Sequence, residues 1–358
     1  MAQGRGDSVD EVDVMLLDAL HANPRASFER LGPALGISAV TAARRWQRLS
    51  DSGRAWVSSV PGPQLALVGA VYQVRAQPGR VTEVAHALSA VPQVVSVYAT
   101  DGAFDLHTLV FAGDMPALTT LLLDALPRIP GIASARSLVG SVWYSAVQWQ
   151  LGAMDADQKR SVSGRAGRKQ IRSERNRVFD QADRMLFVAL QRDGRARYRD
   201  LARTVGTSET LVRRRVETLV DRGMLSFRTD FARSEGGWPV EYVLWLSVPL
   251  DRLDDLGAEI GSWPQTRICL STTGTANLMV MGQVHRIRDV AGILERLPPE
   301  VVVADQRLVL RAFKSWGRLL NADGHALDHV PVDPWAPAGP DQAGLSWAPS
   351  SCWGPRGP

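Results

Sequence analysis

Apolar residues in this chain fall first at helical spacing and then at every second position, and the whole sequence of patterns occurs twice. In residues 183–191, Met185, Leu186, Val188, Ala189 and Leu190 predict a short helix with one buried face. Tyr198, Leu201, Ala202 and Val205 keep helical spacing over 197–205. Gly206 follows, a residue that adopts the left-handed backbone of a helix end cheaply. Ser208 is the next N-cap candidate, since its hydroxyl can accept an unpaired backbone N–H. Beyond it Leu211, Val212, Val216, Leu219 and Val220 form one apolar stripe, with Arg213, Arg214 and Glu217 on the opposite face. Gly223 ends the stripe and Leu225-Ser226-Phe227 reads as a strand. Helix, helix, glycine turn, basic amphipathic helix and strand predict a winged helix-turn-helix.

Sliding the chain by 170 residues aligns 10–53 with 180–223 without a gap. Identical pairs include Asp13/Asp183, Leu16/Leu186, Leu20/Leu190, Arg25/Arg195, Leu31/Leu201, Gly36/Gly206, Ser38/Ser208, Arg44/Arg214, Arg45/Arg215, Leu49/Leu219 and Gly53/Gly223. An ungapped match of this density marks an internal duplication. The segment after each copy repeats too. Strand-like 67–75, helical 79–91, strand-like 93–99 and 104–112, helical 115–126 and strand-like 132–143 recur as 241–248, 253–263, 266–271, 276–283, 287–297 and 301–311. This β-α-β-β-α-β order predicts a ferredoxin-like module, one antiparallel sheet with helices on one face. Its other face is also apolar and needs a partner, which the second copy can supply.

The expected class is therefore α+β: two winged helix-turn-helix domains, each followed by a ferredoxin-like β-α-β-β-α-β module. The boundaries read 10–60 and 65–148, a basic linker at 149–177, then 178–233 and 240–316, and a Pro/Trp-rich tail at 323–358. The linker has few apolar residues and many charges, which predicts disorder. As a flexible coil, its 151–177 stretch would span about 30 Å, enough to tether two protomers. The tail is expected to be disordered as well, with its Trp residues available for docking on a partner.

Charge sharpens the picture. The net charge is +4, but residues 155–177 hold eight basic groups against three acidic ones, and residues 195–233 hold ten arginines against five acids. Positive charge focused in one region points to a polyanion; a solvated linker and an Arg-rich surface helix are the plain alternative. A recognition helix must bury one face while presenting a narrow row of side chains to the major groove of double-stranded DNA. Its N-terminal turn favours phosphate, and arginines one turn in can bond guanine edges or grip phosphates. The DNA-binding candidates are Ser208, Thr210, Arg213, Arg214 and Arg215 in one copy, and Ser38, Thr41, Arg44 and Arg48 in the other. Arg215 is open between a structural, a phosphate and a base contact. The first copy presents a more apolar helix, with Ala39, Val40 and Ala43 and with Trp46 at the Val216 position, suited to thymine methyls but with fewer phosphate grips.

No run of about 18 apolar residues predicts a membrane span, and the first residues lack the apolar core of a signal peptide. Two cysteines, Cys269 and Cys352, make neither a disulfide framework nor a metal site and suit a reducing cytoplasm. Neither a Gly-rich phosphate loop nor a catalytic triad nor a metal cluster is legible, so no catalytic residue and no cofactor is expected.

With these residues in place, the chain resembles the Lrp/AsnC (feast/famine) family of transcriptional regulators in a tandem duplicated form. The likeness rests on Asp183, Leu190, Arg195, Leu201, the "GTS" turn and "RRRVETLVDRGML", together with the second module, and spans roughly residues 10–315. The family's Gly-x-x-Asp turn is matched by Gly102-Ala103-Phe104-Asp105, whereas the second copy reads Gly274-Thr275-Ala276-Asn277. The resemblance implies a small-molecule effector, often an amino acid, at Gly102 and Asp105, and a degenerate site at Gly274 and Asn277. It also implies that one chain acts as an intramolecular pseudo-dimer able to read a non-palindromic site, with further self-association open. Two rivals belong to other classes. One is a sensor or scaffold without DNA reading. The other is an enzyme like the tetrapyrrole decarboxylases that resemble this family, for which His86, His107 and His285 are the candidates.

Overall fold

The structure is a computed structural model that describes residues 9–145, 151–163 and 179–337. The first reading head comprises α1 (Glu11–Ala22), α2 (Phe28–Ala34), α3 (Ala39–Asp51) and β1 (Ala55–Pro61). The first module follows as β2 (Val68–Ala76), α4 (Val81–Ala90), β3 (Val94–Thr100), β4 (Leu106–Ala112), α5 (Met115–Thr120) and β5 (Ile132–Ser145). After α6 (Ala156–Ser163), the second head repeats as α7 (Gln181–Arg192), α8 (Tyr198–Val205), α9 (Glu209–Asp221) and β6 (Leu225–Phe231). The second module is β7 (Val240–Ser247), α10 (Leu253–Gly261), β8 (Thr266–Thr272), β9 (Leu278–Val284), α11 (Asp289–Glu295) and β10 (Val302–Ser315). A short hairpin of β11 (Arg318–Leu320) and β12 (Ala326–His329) closes the described chain.

Local chemistry sets the element ends. Gly206 terminates α8 with φ +73°, as its lack of a side chain allows. Ser38 and Ser208 cap α3 and α9 by accepting the N–H of Thr41 and Leu211. The helix expected over 115–126 loosens after Thr120 into a π-type turn and a 3-10 turn at Leu126–Arg128. Pro127 lies in that turn, and its nitrogen has no hydrogen to donate to an α-helical ladder.

The modules share one closed sheet. Its order β3-β4-β2-β5-β8-β9-β7-β10 returns to the start because β10 pairs with both β7 and β3. Strands β5 and β10 are longer than the sequence pattern indicates, because each serves two sheets. Residues 132–139 of β5 pair with β2, and residues 140–145 pair with β8 of the other module. Residues 302–308 of β10 pair with β7, and residues 309–314 with β3. The apolar inner faces meet as one core containing Val71, Leu109, Phe111, Leu138, Val243, Trp245, Leu270 and Met281. The outer faces are covered by the modules' own helices, α4 and α5 on one side and α10 and α11 on the other.

The heads are joined in the same reciprocal manner. The strand after each third helix pairs with its counterpart, β1 with β6, along the full register Ala55↔Phe231 to Pro61↔Leu225. Arg25 donates to the carbonyls of Gly194 and Ala196, and Arg195 donates to those of Pro24 and Ala26 at 2.6 and 2.8 Å. Each guanidinium lies over aromatic rings of the opposite head: Arg25 over Tyr198, Arg195 over Phe28 and Trp46.

Two expectations of disorder need correction. Within the linker, residues 151–163 are ordered on the first head: Asp18, buried, accepts the N–H groups of Leu151 and Met154 and pairs with Lys159, and Val162 is buried. Within the tail, residues 323–337 return to the second head. Gln191 exchanges two 2.7 Å hydrogen bonds with the backbone of Val332, Arg184 pairs with Asp333, and Trp335 stacks on Phe179 at 4.9 Å. Burial of a few apolar anchors offsets the ordering cost that composition alone predicted would win. The expectations for 164–177 and 338–358 lie outside the described residues.

Lys314 is wholly buried on β10 and donates to the carbonyl of Val91 at 3.3 Å. Burial pushes its ammonium down to about 7, against an unfolded value of about 10.4. Between those values the unfolded chain holds a proton that the folded chain has released, so this group makes stability rise with pH from about 7 to 10. Lys314→Met is expected to remove that rise, worth at most about 1.4 kcal/mol per pH unit; parallel urea-unfolding curves of the two proteins across this range would check it.

Candidate DNA interface and effector turn

The third helix of each head is braced from behind. Asp180 and Asp183 form a capping box at the start of α7, and Arg215 of α9 donates to Asp180 at 2.6 Å and to the fully buried Asp183 at 2.8 Å. Arg45 of α3 does the same with Asp10 and Asp13. Arg48 also pairs with Asp13. Arg215 and Arg48, expected among the DNA-contacting residues, are thus engaged within their own heads. Their carboxylate partners sit about 35 residues upstream, out of reach of any helix-spacing argument.

The remaining candidates lie on the open face. In the second head Ser208, Thr210, Arg213, Arg214 and Glu217 are exposed, and Leu211 is 48% exposed. Arg213 reaches Glu209 at 3.7 Å and lies over the Tyr198 ring. Arg214 makes no ion pair among the described residues. In the first head Ser38, Val40 and Arg44 are exposed, with Val40 at 78%, whereas Thr41 is half-buried and bonded to Ser38 through its hydroxyl. The second head's open face therefore carries two arginines, Arg213 and Arg214, and the first head's carries one, Arg44, beside the exposed Val40.

The turns at Gly102–Asp105 and Gly274–Asn277 also differ. Asp105 accepts the N–H of Ala76 at 2.8 Å and so ties the turn to the end of β2. Asn277 does the same for Val248, but doubly: its Oδ1 accepts from the N–H and its Nδ2 donates to the carbonyl, both at 2.8 Å. An amide can do both, which a carboxylate cannot. Gly102 and Gly274 adopt φ +85° and +109°. Around the first turn, three guanidinium groups surround the Phe104 ring: Arg75 at 6.0 Å, Arg136 at 5.2 Å and Arg307, from the other module, at 5.5 Å. Arg307 pairs with Asp305, while Arg75 donates to the Ala103 carbonyl and Arg136 to the Gln73 amide oxygen. Ser247 and Ala276 occupy the places of Arg75 and Phe104 at the second turn. Arg75, Arg136 and Arg307 were not legible in the sequence, because strand pairing, not sequence spacing, brings them around Phe104.

His107, the strongest histidine candidate for catalysis, is buried inside the closed sheet 6.0 Å from Trp245. Neither ring nitrogen has a partner among the described residues. Burial and the charge of Arg307 push it down to about 3, so it is neutral near pH 7. His86 packs edge-on against Phe313, and His285 lies against Trp238. Among the described residues no group of His, Cys, Asp or Glu could hold a metal, and no helix is long and apolar enough to cross a membrane.

These elements define two helix-turn-helix heads and two ferredoxin-like modules. Family models agree: the AsnC-type helix-turn-helix domain matches residues 9–50 and 179–220, and the Lrp/AsnC ligand binding domain matches 69–140. The chain thus matches AsnC-type helix-turn-helix models at two positions and the Lrp/AsnC ligand binding domain model once, and the doubled head fits a tandem duplication. It is 28% identical over 121 residues to the HTH-type transcriptional regulator Ptr1 of Methanocaldococcus jannaschii, covering 33% of this chain and 82% of that protein. It is 27% identical over 146 residues to the leucine-responsive regulatory protein of Haemophilus influenzae, covering 39% and 87%. The crystal structure of the siroheme decarboxylase NirDL shares the fold at TM-score 0.52 with 14% identity, over 86% of this chain and 93% of that one.

The brace has a measurable consequence. Arg215→Ala removes the guanidinium that bonds the buried Asp183 and is expected to destabilise the second head by about 2 kcal/mol, read from urea unfolding. A variant of unchanged stability that has lost DNA binding would return Arg215 to the reading surface.

Proposed function

We propose that this chain is a sequence-specific DNA-binding transcriptional regulator, acting in the cytoplasm as a single-chain pseudo-dimer. The observation that carries the reading is the coupling of the heads: the β1–β6 ribbon and the exchanged Arg25 and Arg195 contacts fix two third helices in one unit. A fixed pair of helices suits two half-sites about one helical turn, about 34 Å, apart. Ser208, Thr210, Arg213 and Arg214 read or grip one half-site, and Ser38, Thr41 and Arg44 the other. Because the two faces differ in charge, the half-sites differ in sequence.

The test is sequencing of genome fragments bound by the purified protein at two salt concentrations, beside Arg213→Ala/Arg214→Ala. Expected are fragments sharing two unlike half-sites one turn apart, with affinity in the variant reduced about tenfold or more and its salt dependence lowered by about two in log–log slope. Sequence-blind binding that salt abolishes equally in both proteins would defeat the proposal.

The effector site we assign is the first turn, Gly102–Asp105, where Arg75 and Arg136 have no carboxylate partner among the described residues. Two open guanidinium groups beside an aromatic ring suit a carboxylate-bearing ligand, amino acids included. The turn at Gly274 and Asn277 has neither feature. In thermal-shift screening of amino acids, a stabilising ligand is expected whose affinity falls in Arg136→Gln and Asp105→Ala. No shift with any of them, or a shift indifferent to both variants, would remove this site. The decarboxylase likeness is one of fold, and the buried His107 offers no reactive group to a bulky substrate.

A further inference from the structure

The tail is held in a groove of the first module whose counterpart on the second module is open. Asp333, Pro334, Trp335 and Ala336 lie beside the start of β3 and the end of β4. The N–H of Asp333 donates to the Pro92 carbonyl and the N–H of Gly113 to the Pro334 carbonyl, both at 2.9 Å. Gln93 donates through Nε2 to the Ala336 carbonyl at 2.7 Å. Trp335 sits directly on Gly113, where a β-carbon would lie 2.9 Å from its Cδ1. The same indole packs on Phe179 and Phe187 of the second head. This segment therefore ties the second head to the first module.

Strand registers identify the matching groove. The N–H of Phe111 bonds the Gln93 carbonyl, and the N–H of Gln283 bonds the Gln265 carbonyl, both at 2.9 Å. Gln265 thus stands for Gln93, and Val284-His285 for Ala112-Gly113. Here a cavity of about 400 Å³ is lined by Trp238, Gln265, Val284, His285, Ile293 and Arg296. Val284 and Ile293 are buried and make its apolar floor. Trp238 stacks on His285 at 4.0 Å and supplies an aromatic wall. His285 is itself fixed through Nδ1 on the Gly237 carbonyl at 2.7 Å, and Trp238 also packs against the core of the first head. The buried Oε1 of Gln265 has no donor among the described residues. A buried acceptor without a donor is costly, and a cavity of about 150 Å³ already admits a benzene ring.

The sequence supplies an occupant. Pro334-Trp335-Ala336-Pro337 is followed by Ser346-Trp347-Ala348-Pro349, with the same Trp-Ala-Pro run. The second run lies outside the described residues. Pro-rich segments are extended before they bind, which lowers the ordering cost of docking in an aromatic-lined groove. We propose that the open groove binds residues 346–349 of this chain, with Trp347 against the Trp238–His285 pair and its indole N–H donated to Gln265 Oε1. Docked there, the segment ties the first head, through Trp238, to the second module, as Trp335 ties the second head to the first.

The experiment is calorimetric titration of a synthetic peptide of residues 343–351 into the full chain and into its Trp347→Ala variant, which lacks the tethered motif. Expected is one peptide per variant chain, bound at least about tenfold more tightly than by the unaltered chain, where the tethered segment competes at high effective concentration. Gly292 is exposed on the groove's rim, and a β-carbon there meets nothing within 4 Å. Gly292→Trp, added to Trp347→Ala, should fill the groove and abolish binding, and Gln265→Met should weaken it about fivefold. A peptide carrying Trp347→Ala should not bind. Circular dichroism would establish that each variant is folded. No binding at millimolar peptide, equal affinity for the two chains, or binding indifferent to Gly292→Trp would each overturn the proposal. Competition that strengthens with protein concentration would give the groove to the tail of a second copy, and would overturn it as well.

Discussion

Each half of this chain leaves a sheet face that only the other half can cover. A four-stranded sheet with helices on one side exposes an apolar second face to water, at a cost of about 25 cal/mol per Å². Here the two second faces meet as a single core. Strands β5 and β10 carry the arrangement through, because the latter part of each hydrogen-bonds in the other half's sheet. Strand edges and apolar faces are therefore satisfied together. The heads inherit the same dependence: β1 finds its ladder on β6, and each head places one arginine against the other's backbone. Neither half is a complete folding unit, which is why covalent fusion costs the architecture nothing. It converts an association that depends on concentration into an intramolecular one.

Fusion also releases the halves from identity, and the differences are concentrated where chemistry happens. In a homodimer, a buried Asp230–Arg228–Arg233–Arg267 network would occur twice, with the desolvation of ionic groups incurred twice. Here it occurs at one pole of the closed sheet while Val60, Val95 and Phe111 pack the other. Phe104 with its surrounding arginines occurs at the Gly102–Asp105 turn, while Ala276 stands at the Gly274–Asn277 turn. Arg214 and Val40 give the heads unlike faces. A symmetric shell thus carries unlike faces and unlike turns in its two halves.

The elements and their order were legible in the sequence because they rest on local rules. Period and cap residues placed the helices, and Gly206 and Ser208 marked the turn before α9. What was not legible depends on pairing across the chain. Arg215 is open between a structural and a DNA contact in the sequence, and Asp180 and Asp183 beside it decide for the structural one. The length of β10 reflects two partners, one of them about 200 residues away. The ordered parts of linker and tail escaped for a related reason. Their composition is polar or Pro-rich, but Val162, Val332 and Trp335 each find a prepared surface, and a few anchors outweigh the average.

The fold alone does not choose between regulator and enzyme, since a decarboxylase shares it over most of the chain. The choice rests on which groups are accessible. A catalytic proton donor must reach its substrate and hold a proton near the working pH. His107 is enclosed by the sheet and kept neutral by burial and Arg307. The guanidinium groups of Arg44 and Arg214, by contrast, stand on open helix faces behind which Arg45 and Arg215 fix the helix position. The brace carboxylates neutralise the inner arginines, so the charge left on the surface belongs to the outer ones. In both copies the second arginine of the Arg-Arg pair holds the helix, and the first stands exposed on the open face.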